Sequence, residues 1–457
     1  MPPPNTEEFD MFNYGVENVR SFVQHCHPVI IVDGAHLKAG CTEINLVAVA
    51  MDGNNGILPL TYGIGGGETN EVWSWFLGNL RDHLVSCGMS DRISELTFIS
   101  DRAASIAHGV STVFPEAFHC FCARHLFGSI KTKSNKFKYF EWHYWKMVKA
   151  YRGSDFEDHL SVFRRRLRAS YNYLEQVYFH KWSRSRAEHV RYSYLTSNNV
   201  ESVNALSKQA RKLPVCMLFE FFRASVQDWY FKYRNQSVSL TSTVTPYAEC
   251  KLGKRTRKPR RWQAIPSTNN LIEVRDGRKN GMVNLDDKVC SCGQWQLSGI
   301  PCGHVIAAAR LFGVEDVTQF ISHWFTTQTY INTYLEHVLP LPHRSEWSYQ
   351  SPGVLQIVNP PIKEKRAPGR PKSTKRIPSK GEDTEKTVRT CTRCKKPGHG
   401  RDTCTASYDR TGESTSKRVV KASASKSKKG KEKATDAEAF KAYQSQFYAT
   451  RNLGSDN

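Results

Sequence analysis

The sequence has no run of 18 consecutive apolar residues, which argues against a membrane-spanning helix. Its first ten residues, MPPPNTEEFD, lack the basic start and apolar run of a secretory signal peptide, so we do not expect one. Acidic residues are also few, because 43 Asp and Glu stand against 65 Lys and Arg, a formal net charge of +22. We therefore expect that the protein neither spans a membrane nor is secreted.

The chain does have length and a strongly basic segment. Its 457 residues suit two or three folded units, and 39% apolar residues suffice for a hydrophobic core. Residues 361–433 contain 23 Lys and Arg against 8 Asp and Glu. Such a segment favours nucleic acid as partner, the alternative being a solvated tail that only maintains solubility. Beyond residue 347 we expect disorder apart from one short metal motif.

The thirteen cysteines cluster with histidines at metal-ligand spacings, which indicates zinc in a reducing compartment rather than disulfides. The most specific motif is C-x-C-x9-C-x-H, formed by Cys290, Cys292, Cys302 and His304. Thiolates and an imidazole in a closed set of four ligands are typical of structural zinc. This motif resembles a SWIM zinc finger of the PMZ type, found in plant Mutator-like transposases.

A second cluster has the C-x2-C-x4-H-x4-C spacing of a zinc knuckle, formed by Cys391, Cys394, His399 and Cys404. So short a motif has almost no apolar core, and metal must fold it. Basic residues within it predict contacts with nucleic-acid phosphates, single-stranded in preference to duplex: Lys395, Lys396 and Arg401. Just upstream, Arg370 and Lys372 lie in GRPK, which resembles an AT-hook core for a narrow minor groove.

Three acids occur where a strand ends or a helix begins. An apolar strand over residues 29–32 runs into Asp33, and Gly34 predicts that the strand stops there. The apolar segment LTFISD ends at Asp101, and the polar helix start TSNNVESVNA carries Glu201. Carboxylates are the ligands that hold hard cations, so Asp, Asp and Glu in this order predict a two-metal phosphoryl-transfer site.

Each acid also has a simpler interpretation, and the residues alone leave it open. Asp33 and Asp101 can be turn or helix-cap residues, because Asp101 directly precedes a helical segment. Glu201 follows Asn198 by three residues, which is a capping-box-like spacing.

The pattern around the acids predicts an α/β fold. Strands over 43–52 and 57–65 flank the turn DGNNG, and helix 70–84 has one apolar face: Val72, Trp73, Phe76, Leu77, Leu80 and Leu84. A helix over 102–113 and a strand over 117–122 follow. This element order is that of a ribonuclease H-like fold, in which the first and fourth strands are adjacent and acids at their ends can share metals.

The middle of the chain has a different character. Residues 130–195 have helical spacing and interleaved basic and aromatic side chains, so we predict an α-helical insertion that either clamps DNA or is an ordinary amphipathic bundle. The run KLGKRTRKPRRW, residues 251–262, fits a nuclear localisation signal, a phosphate contact or a linker. A hairpin predicted around 271–289 leads to the first zinc motif.

Six blocks in order resemble the Mutator-like (MuDR/MULE) transposase domain: DGAHLKAG, DGNNGILPL, ETNEVWSWFL, FISDRAASI, FPEAFHCFCARHL and TSNNVESVNA. The resemblance implies a ribonuclease H-like DDE core in which Asp33, Asp101 and Glu201 are catalytic and hold two Mg²⁺ or Mn²⁺. It implies two structural zinc ions, a nuclear location, and cutting and joining of DNA at transposon ends and target. A homo-oligomer is a further option.

Cys122 and His125 match the family's C-x2-H motif, which lies between the second Asp and the Glu. Two ligands make only half a zinc site. His119 and Cys120 lie close enough in sequence to contribute, but we expect a buried structural role for the motif.

The expected organisation, with its expected boundaries, is a truncated lead-in (1–27), a core (28–129), an α-helical insertion (130–195), the rest of the core with the Glu201 helix (196–245), a basic linker (246–270), a SWIM-type finger (271–345), a disordered basic linker (346–390), the knuckle (391–404) and a disordered basic tail (405–457). Full-length family members carry a DNA-binding module before the region of resemblance. The lead-in therefore suggests a truncated element, an incomplete gene model or a domesticated descendant.

Two other functions remain open at the level of the sequence. One is a domesticated, non-catalytic DNA-binding transcriptional regulator, as in the plant far-red response regulators that resemble these transposases. The other is a zinc-knuckle RNA-binding protein. The three acids favour the transposase, because a descendant without catalysis has no chemical need to keep all of them.

Overall fold

The computed structural model describes residues 10–13, 15–38, 43–257, 259–338 and 340. All of them lie in one compact unit that spans residues 1–365. The predicted zinc knuckle at 391–404, the GRPK segment with Arg370 and Lys372, and the basic tail at 405–457 lie outside the described residues. Within the described ranges, no helix is both long and apolar enough to cross a bilayer.

The described residues form a mixed α/β fold. Its strands are β1 (Asp10–Asn13), β2 (Val29–His36), β3 (Ile44–Met51), β4 (Ile57–Gly65), β5 (Thr97–Ser100), β6 (Phe118–Phe121), β7 (Gln263–Pro266), β8 (Leu271–Arg275), β9 (Gly281–Asn284) and β10 (Val289–Cys290). Its helices are α1 (Gly15–His25), α2 (Asn70–Ser86), α3 (Ala104–Val113), α4 (Ala123–Lys133), α5 (Glu141–Lys149), α6 (Gly153–Arg166), α7 (Arg168–Gln176), α8 (Phe179–Trp182), α9 (Asn198–Leu206), α10 (Val215–Val238), α11 (Pro246–Thr256), α12 (Gln294–Ser298), α13 (Gly303–Leu311) and α14 (Thr327–Thr333).

The first six strands form one sheet in the order β1-β4-β3-β2-β5-β6. β2, β3 and β4 are antiparallel neighbours, whereas β5 pairs in parallel with both β2 and β6. Parallel neighbours need a crossover connection, and α3 supplies it between β5 and β6. Every residue of β3 is buried, as expected for a central strand covered on both faces.

Helix α2 confirms the apolar face predicted from its sequence. All six predicted positions are buried: Val72, Trp73, Phe76, Leu77, Leu80 and Leu84. Each large apolar side chain moved out of water contributes about 1.5–3 kcal/mol to folding, so this face is sufficient to hold the helix on the sheet. The helix begins where the hydroxyl of Thr69 accepts the backbone N–H of Val72 at 3.3 Å.

The prediction that the first strand stops at Gly34 was wrong. β2 continues to His36, with Asp33 opposite Val47 and Gly34 opposite Leu46 on β3. A Cβ on Gly34 would lie 2.6 Å from Cδ1 of Ile44, so the glycine permits a close approach rather than a chain reversal. Pairing with β5, in contrast, ends at Ile31. The backbone of Asp33 is therefore paired with β3 on one side, and on the other side it lies beyond the last residue paired with β5.

The region before β2 belongs to the same sheet. β1 pairs antiparallel with β4 and forms an edge of the sheet, and α1 follows it over Gly15–His25. Helix α1 buries Val19 and Phe22 and packs against β4 and α14.

The predicted α-helical insertion contains α5 to α8 and shares a hydrophobic cluster with α4. Within it Tyr144 and Trp182 stack with ring centroids 5.8 Å apart, and the hydroxyl of Tyr144 donates to the Ala123 carbonyl at 2.6 Å. The interior thus has the packing of an amphipathic bundle, and any role in DNA binding must come from the surface of these helices.

A second, antiparallel sheet has the order β10-β9-β8-β7 and packs against α13. Its core includes Ile272, Val274, Val283 and Val305. The segment 246–270, expected to be a linker, instead contributes α11 and the edge strand β7. The β8–β9 hairpin tip contacts the start of α6, where the Lys279 ammonium lies 2.7 Å from Asp155 and 2.9 Å from Asp158.

Candidate active site and metal centre

Asp33 and Asp101 come from neighbouring parallel strands. The register pairs Ile31 of β2 with Ile99 of β5, so the two acids, each two residues further along, are aligned with each other. Adjacent strands lie about 4.8 Å apart, and side chains two residues apart point to the same face. The fold therefore brings the two predicted carboxylates to the same end and face of the sheet.

The Asp33 carboxyl has an unusual electrostatic environment. Its pKa is raised to about 7, first by burial and then by the negative charges of Asp101 and Glu201. His125 acts in the opposite direction, as does a hydrogen bond at 3.0 Å from the side-chain amide of Asn204 to Oδ2. A divalent cation bound beside Asp33 and Asp101 would offset both the burial and the like charges. The three predicted acids do not all lie within 4.8 Å of one another, because Glu201 is grouped with Cys122 and His125 instead.

Asp101 follows β5 directly and also supports the chain before α3. Its Oδ1 accepts the backbone N–H of Ala103 at 2.9 Å. Asp101 is therefore not the helix cap that the sequence left open, because the N-cap of α3 is Ala103 and no side chain caps that helix. The next residue, Arg102, donates to the Tyr173 hydroxyl at 2.6 Å and ties this loop to the insertion.

Glu201 lies in the first turn of α9, the helix that packs against β2. The residue at the N-cap is Ser197, and its side chain does not cap the helix backbone. The Ser197 hydroxyl instead donates to Glu201 Oε1 at 3.2 Å. The capping-box arrangement considered for Asn198 and Glu201 is therefore replaced by a contact that holds the Glu201 carboxylate.

The C-x2-H motif contacts the same helix start. The Ser197 backbone N–H donates to Cys122 Sγ at 3.2 Å, and His125 Nε2 lies 3.6 Å from Glu201 Oε1. The hydrogen bond to Cys122 raises the pKa of His125 to about 9. Burial alone would raise the pKa of Cys122, but its bonds with His125 and Ser197 lower it. One ligand atom from each of Cys122, His125 and Glu201 lies within 4.8 Å of the others.

The two residues considered as helpers of this motif have other surroundings. His119 Nε2 lies 2.8 Å from the Ser100 hydroxyl, and burial lowers the pKa of His119 to about 4. Cys120 is fully buried in β6. Neither belongs to the group formed by Cys122 and His125, whose third member is Glu201.

Three residues near the acids were missed by the sequence analysis. Asn204 contacts Asp33 directly, and its own carbonyl accepts a hydrogen bond from Arg211 at 2.9 Å. Arg211 also donates to the His36 carbonyl at 2.7 Å, which fixes the end of β2. The pKa of Glu68 is raised first by burial and then by the negative charge of Asp101, which lies nearby. Of the three, only Asn204 could have been predicted from the sequence, since it follows Glu201 by three residues and therefore lies on the same helix face.

The four residues of the first zinc motif converge at the second sheet. Cys290 ends β10, Cys292 follows in the turn, Cys302 is the N-cap of α13 and His304 lies in the first turn of that helix. One ligand atom of each lies within 4.8 Å of the others, and Nδ1 of His304 is 3.7 Å from Cys290 Sγ and 3.9 Å from Cys302 Sγ. Hydrogen bonds from Cys290 and Cys302 lower the pKa of the Cys292 thiol. Buried thiols and one imidazole form a donor set that fits zinc.

Asp276 supports this centre from the β8–β9 hairpin. Its Oδ2 lies 3.5 Å from Nε2 of His304, the ring nitrogen that faces away from the sulfurs. Backbone N–H groups of Arg278 and Lys279 hold its Oδ1 at 2.7 and 2.8 Å. A carboxylate behind a ligating histidine fixes the ring orientation and increases its basicity. No spacing rule identified Asp276 in the sequence.

Two known protein families match separate segments of the chain, one in the first sheet and one around the cluster of His304. Residues 29–129 match the MULE transposase domain. Residues 280–312 match the SWIM zinc finger. A comparison with curated proteins gives no match.

The MULE transposase match contains Asp33, Asp101, Cys122 and His125, and it ends before Glu201. It suggests a transposase or a protein derived from one, and hence DNA binding. The SWIM match contains all four residues of the cluster around His304. Together the SWIM match and the cluster suggest a structural zinc ion.

The insertion presents a basic and aromatic surface formed by Lys138, Tyr139, Trp142 and Lys146. Tyr139 is 74% exposed and Trp142 is 54% exposed. The Lys138 ammonium lies 4.9 Å from the Tyr139 ring centroid, and that of Lys146 lies 5.3 Å from the Trp142 ring. Exposed rings beside cations are the elements from which single-stranded nucleic-acid surfaces are built.

Proposed function

We propose that this chain is a DDE-type DNA transposase, or a protein derived from one, with a ribonuclease H-like core. Asp33, Asp101 and Glu201 are its proposed catalytic residues. The observation that carries the proposal is the alignment of Asp33 with Asp101 on parallel neighbouring strands, within a segment that matches the MULE transposase domain. The order β4-β3-β2-β5-β6, with three antiparallel strands and then two parallel ones, supports the core assignment.

In this proposal Asp33 and Asp101 hold the divalent cations from the sheet, and Glu201 approaches from α9. When bound, Mg²⁺ or Mn²⁺ ions in such a site activate an attacking oxygen and stabilise a leaving oxygen in phosphodiester chemistry. Neighbouring side chains of the protein position the carboxylates. Asn204 orients the Asp33 carboxylate. Ser197 and His125 contact the Glu201 carboxylate beside Cys122, and it has to turn from there toward the two aspartates.

Electrostatics support the same assignment. Burial first, and then the charges of Asp101 and Glu201, raise the pKa of Asp33 to about 7, and bound cations would reduce the cost of ionising it. Carboxyl groups whose pKa values are strongly raised by burial and by like charges are candidates for function.

DNA is the proposed partner, and a nuclear location follows from that substrate. Two features of the described chain support DNA as the partner. One is the surface of Tyr139 and Trp142 beside lysines, and the other is the basic run that begins in the second half of α11. The predicted contacts of Lys395, Lys396 and Arg401 in the knuckle remain predictions, as do those of Arg370 and Lys372.

The proposal is tested by nicking of supercoiled plasmid with and without Mg²⁺ or Mn²⁺. We expect metal-dependent nicking by the wild-type chain and a loss of at least about 100-fold in Asp101→Asn, because one ligand of the charge-stabilising cations is removed. Glu116→Gln is the matched control, since Glu116 is an exposed acid beyond the far end of α3 that pairs with Arg81.

Two results would contradict a catalytic role. Nicking that persists in Asp101→Asn would show that another nuclease is responsible. Tight, salt-sensitive DNA binding without nicking by the wild-type chain would favour the domesticated regulator instead.

A further inference from the structure

The C-x2-H motif and Glu201 form a group of three different metal-binding side chains. Cys122 is the N-cap of α4, His125 lies in the first turn of that helix, and Glu201 reaches them from α9. Sequence spacing indicated only the first two, because Glu201 is distant along the chain. The fold brings one ligand atom of each within 4.8 Å of the others.

We propose that Cys122, His125 and Glu201 form a zinc site that competes with the proposed magnesium set for the Glu201 carboxylate. A tetrahedral zinc ion has its nitrogen and oxygen ligands at about 2.0–2.1 Å, and these two atoms are then about 3.3 Å from each other. In the structure His125 Nε2 and Glu201 Oε1 are 3.6 Å apart. The pair needs to close by only a few tenths of an ångström.

The chemistry of the donors selects the ion. Thiolate and imidazole ligands favour zinc, whereas Mg²⁺ takes oxygen ligands in near-ideal octahedral geometry. Cys122 is fully buried, and the backbone N–H of Ser197 directed at Cys122 Sγ stabilises a thiolate there. Three protein ligands leave one position of a tetrahedral ion open for water, a coordination typical of exchangeable rather than closed structural sites.

The consequence for activity, which rests on the proposed function, concerns Glu201. The carboxylate is half-exposed, and its partners, Ser197 and His125, both lie beside Cys122. A zinc ion bound there would hold Glu201 toward α4 and withdraw it from Asp33 and Asp101. Zinc would therefore inhibit magnesium-dependent activity by occupying a site of its own.

The first test counts zinc in the full-length chain after equilibrium dialysis against buffered Zn²⁺. We expect Cys122→Ser to bind one zinc ion fewer per chain than wild type, whatever the number bound elsewhere. Cys120→Ser is the matched control, because Cys120 is an equally buried cysteine two residues earlier that lies outside the group, and it should match wild type. Equal zinc content in wild type and Cys122→Ser overturns the proposal.

A second variant separates loss of the ligand from loss of the fold. Glu201→Gln keeps the thiol and the imidazole, so it should weaken zinc at this site by roughly tenfold or more without changing the far-ultraviolet circular dichroism. With Co²⁺ in place of zinc, the thiolate absorption of this site should weaken in Glu201→Gln and disappear in Cys122→Ser. Unchanged affinity in Glu201→Gln would exclude Glu201 as a ligand.

The inhibition is measured by adding Zn²⁺ to the magnesium-dependent nicking assay. Relative to its own zinc-free rate, Cys122→Ser should need roughly tenfold more zinc than wild type for half inhibition. If the wild-type chain does not nick at all, the proposed function fails while the zinc count still decides the site. If nicking is normal and zinc inhibits both proteins equally, the competition is excluded.

Discussion

At the scale of single residues, the candidate site depends on polar side chains that hold carboxylates in place. Asn204 supplies the side-chain hydrogen bond to Asp33, and Arg211 in turn fixes both Asn204 and the end of β2. A carboxylate whose orientation is fixed in advance loses less entropy when it binds a cation. The second layer around the acids is therefore where point mutations should be informative.

Replacing Asn204 by alanine should reduce metal-dependent nicking by about 10- to 100-fold while the protein stays folded, since outer-shell partners of metal ligands have effects of that size. The measurement is the nicking rate as a function of Mg²⁺ concentration, and higher Mg²⁺ should partly restore the rate. Asn199→Ala is the control on the same helix, where the amide donates to the sulfur of Met51. An unchanged rate in Asn204→Ala would remove Asn204 from the site.

His27 offers a test of how burial affects stability against pH. It is fully buried among Tyr192, Tyr194, Trp324 and Phe325, and neither ring nitrogen has a hydrogen-bond partner in the described part of the chain. Burial first, and then the charge of His323, lowers the pKa of His27 to about 3. The unfolded chain therefore binds the proton more tightly, and stability is lost as pH falls from about 6.5 toward 3.

We expect His27→Phe to remove this loss, because phenylalanine keeps a ring in the aromatic cage and cannot be protonated. The difference in the free energy of unfolding between variant and wild type should grow by about 2 kcal/mol in favour of the variant from pH 8 to pH 5. Urea denaturation at the two pH values measures it. A difference that is the same at both would show that His27 is not the group responsible.

At the scale of elements, local patterns predicted what local forces decide. The turn over residues 52–56 is confirmed, since β3 ends at Met51 and β4 begins at Ile57, with Asp52 Oδ1 accepting the N–H groups of Asn54 and Gly56. The buried face of α2 is confirmed as well. The predicted strand end at Gly34 was wrong because the sequence does not distinguish a glycine that ends a strand from one that allows close packing of a side chain such as Ile44.

Long-range pairings could not be derived in this way. The antiparallel pairing of β1 with β4 joins residues about 50 positions apart, and it needs no distinctive pattern in either strand. The contact of Glu201 with the C-x2-H motif likewise depends on how the insertion returns the chain to the sheet. The order of the acids was visible in the sequence, whereas the register that aligns Asp33 with Asp101 required the fold.

The insertion gives a prediction about nucleic acid. Trp142→Ala should weaken binding of single-stranded DNA by about tenfold, because a stacked base contributes about 1–3 kcal/mol and Lys146 holds a cation beside the ring. Fluorescence anisotropy with a labelled oligonucleotide measures it. Tyr178→Ala is the control, since Tyr178 is a 64% exposed aromatic elsewhere on the insertion. Equal effects of the two substitutions would argue against a specific surface.

At the scale of the whole described molecule, the zinc-binding segment is attached to the first sheet by a continuous series of contacts. The Gly299 carbonyl in the zinc loop accepts the Ser322 N–H at 2.8 Å, and the Phe325 carbonyl accepts that of Thr245 at 2.9 Å. The Thr245 hydroxyl then donates to the carbonyl of Gly53 in the β3–β4 turn at 2.9 Å. Nearby, the Tyr334 hydroxyl donates to buried Asp52 at 2.6 Å.

This continuity means that zinc should stabilise more than its own sheet. In zinc-finger peptides the ion contributes about 10–16 kcal/mol to folding, far more than the surface ion pairs of Lys279 with Asp155 and Asp158 can supply at about 0–1 kcal/mol each. Loss of zinc should therefore release Gly299 and, through Ser322 and the Phe325 carbonyl, loosen Thr245 on the turn at Gly53.

We expect Cys302→Ser to increase amide hydrogen exchange in β8 and β9 and also at Thr245 and residues 52–56, while exchange in β5 stays as in wild type. Hydrogen exchange read by mass spectrometry resolves these segments. Cys250→Ser is the matched control, because Cys250 is an exposed cysteine on α11 that is not part of the cluster. If only residues 263–311 exchanged faster, the zinc sheet would be an independent module, and the contacts through Thr245 would carry no stability to the core.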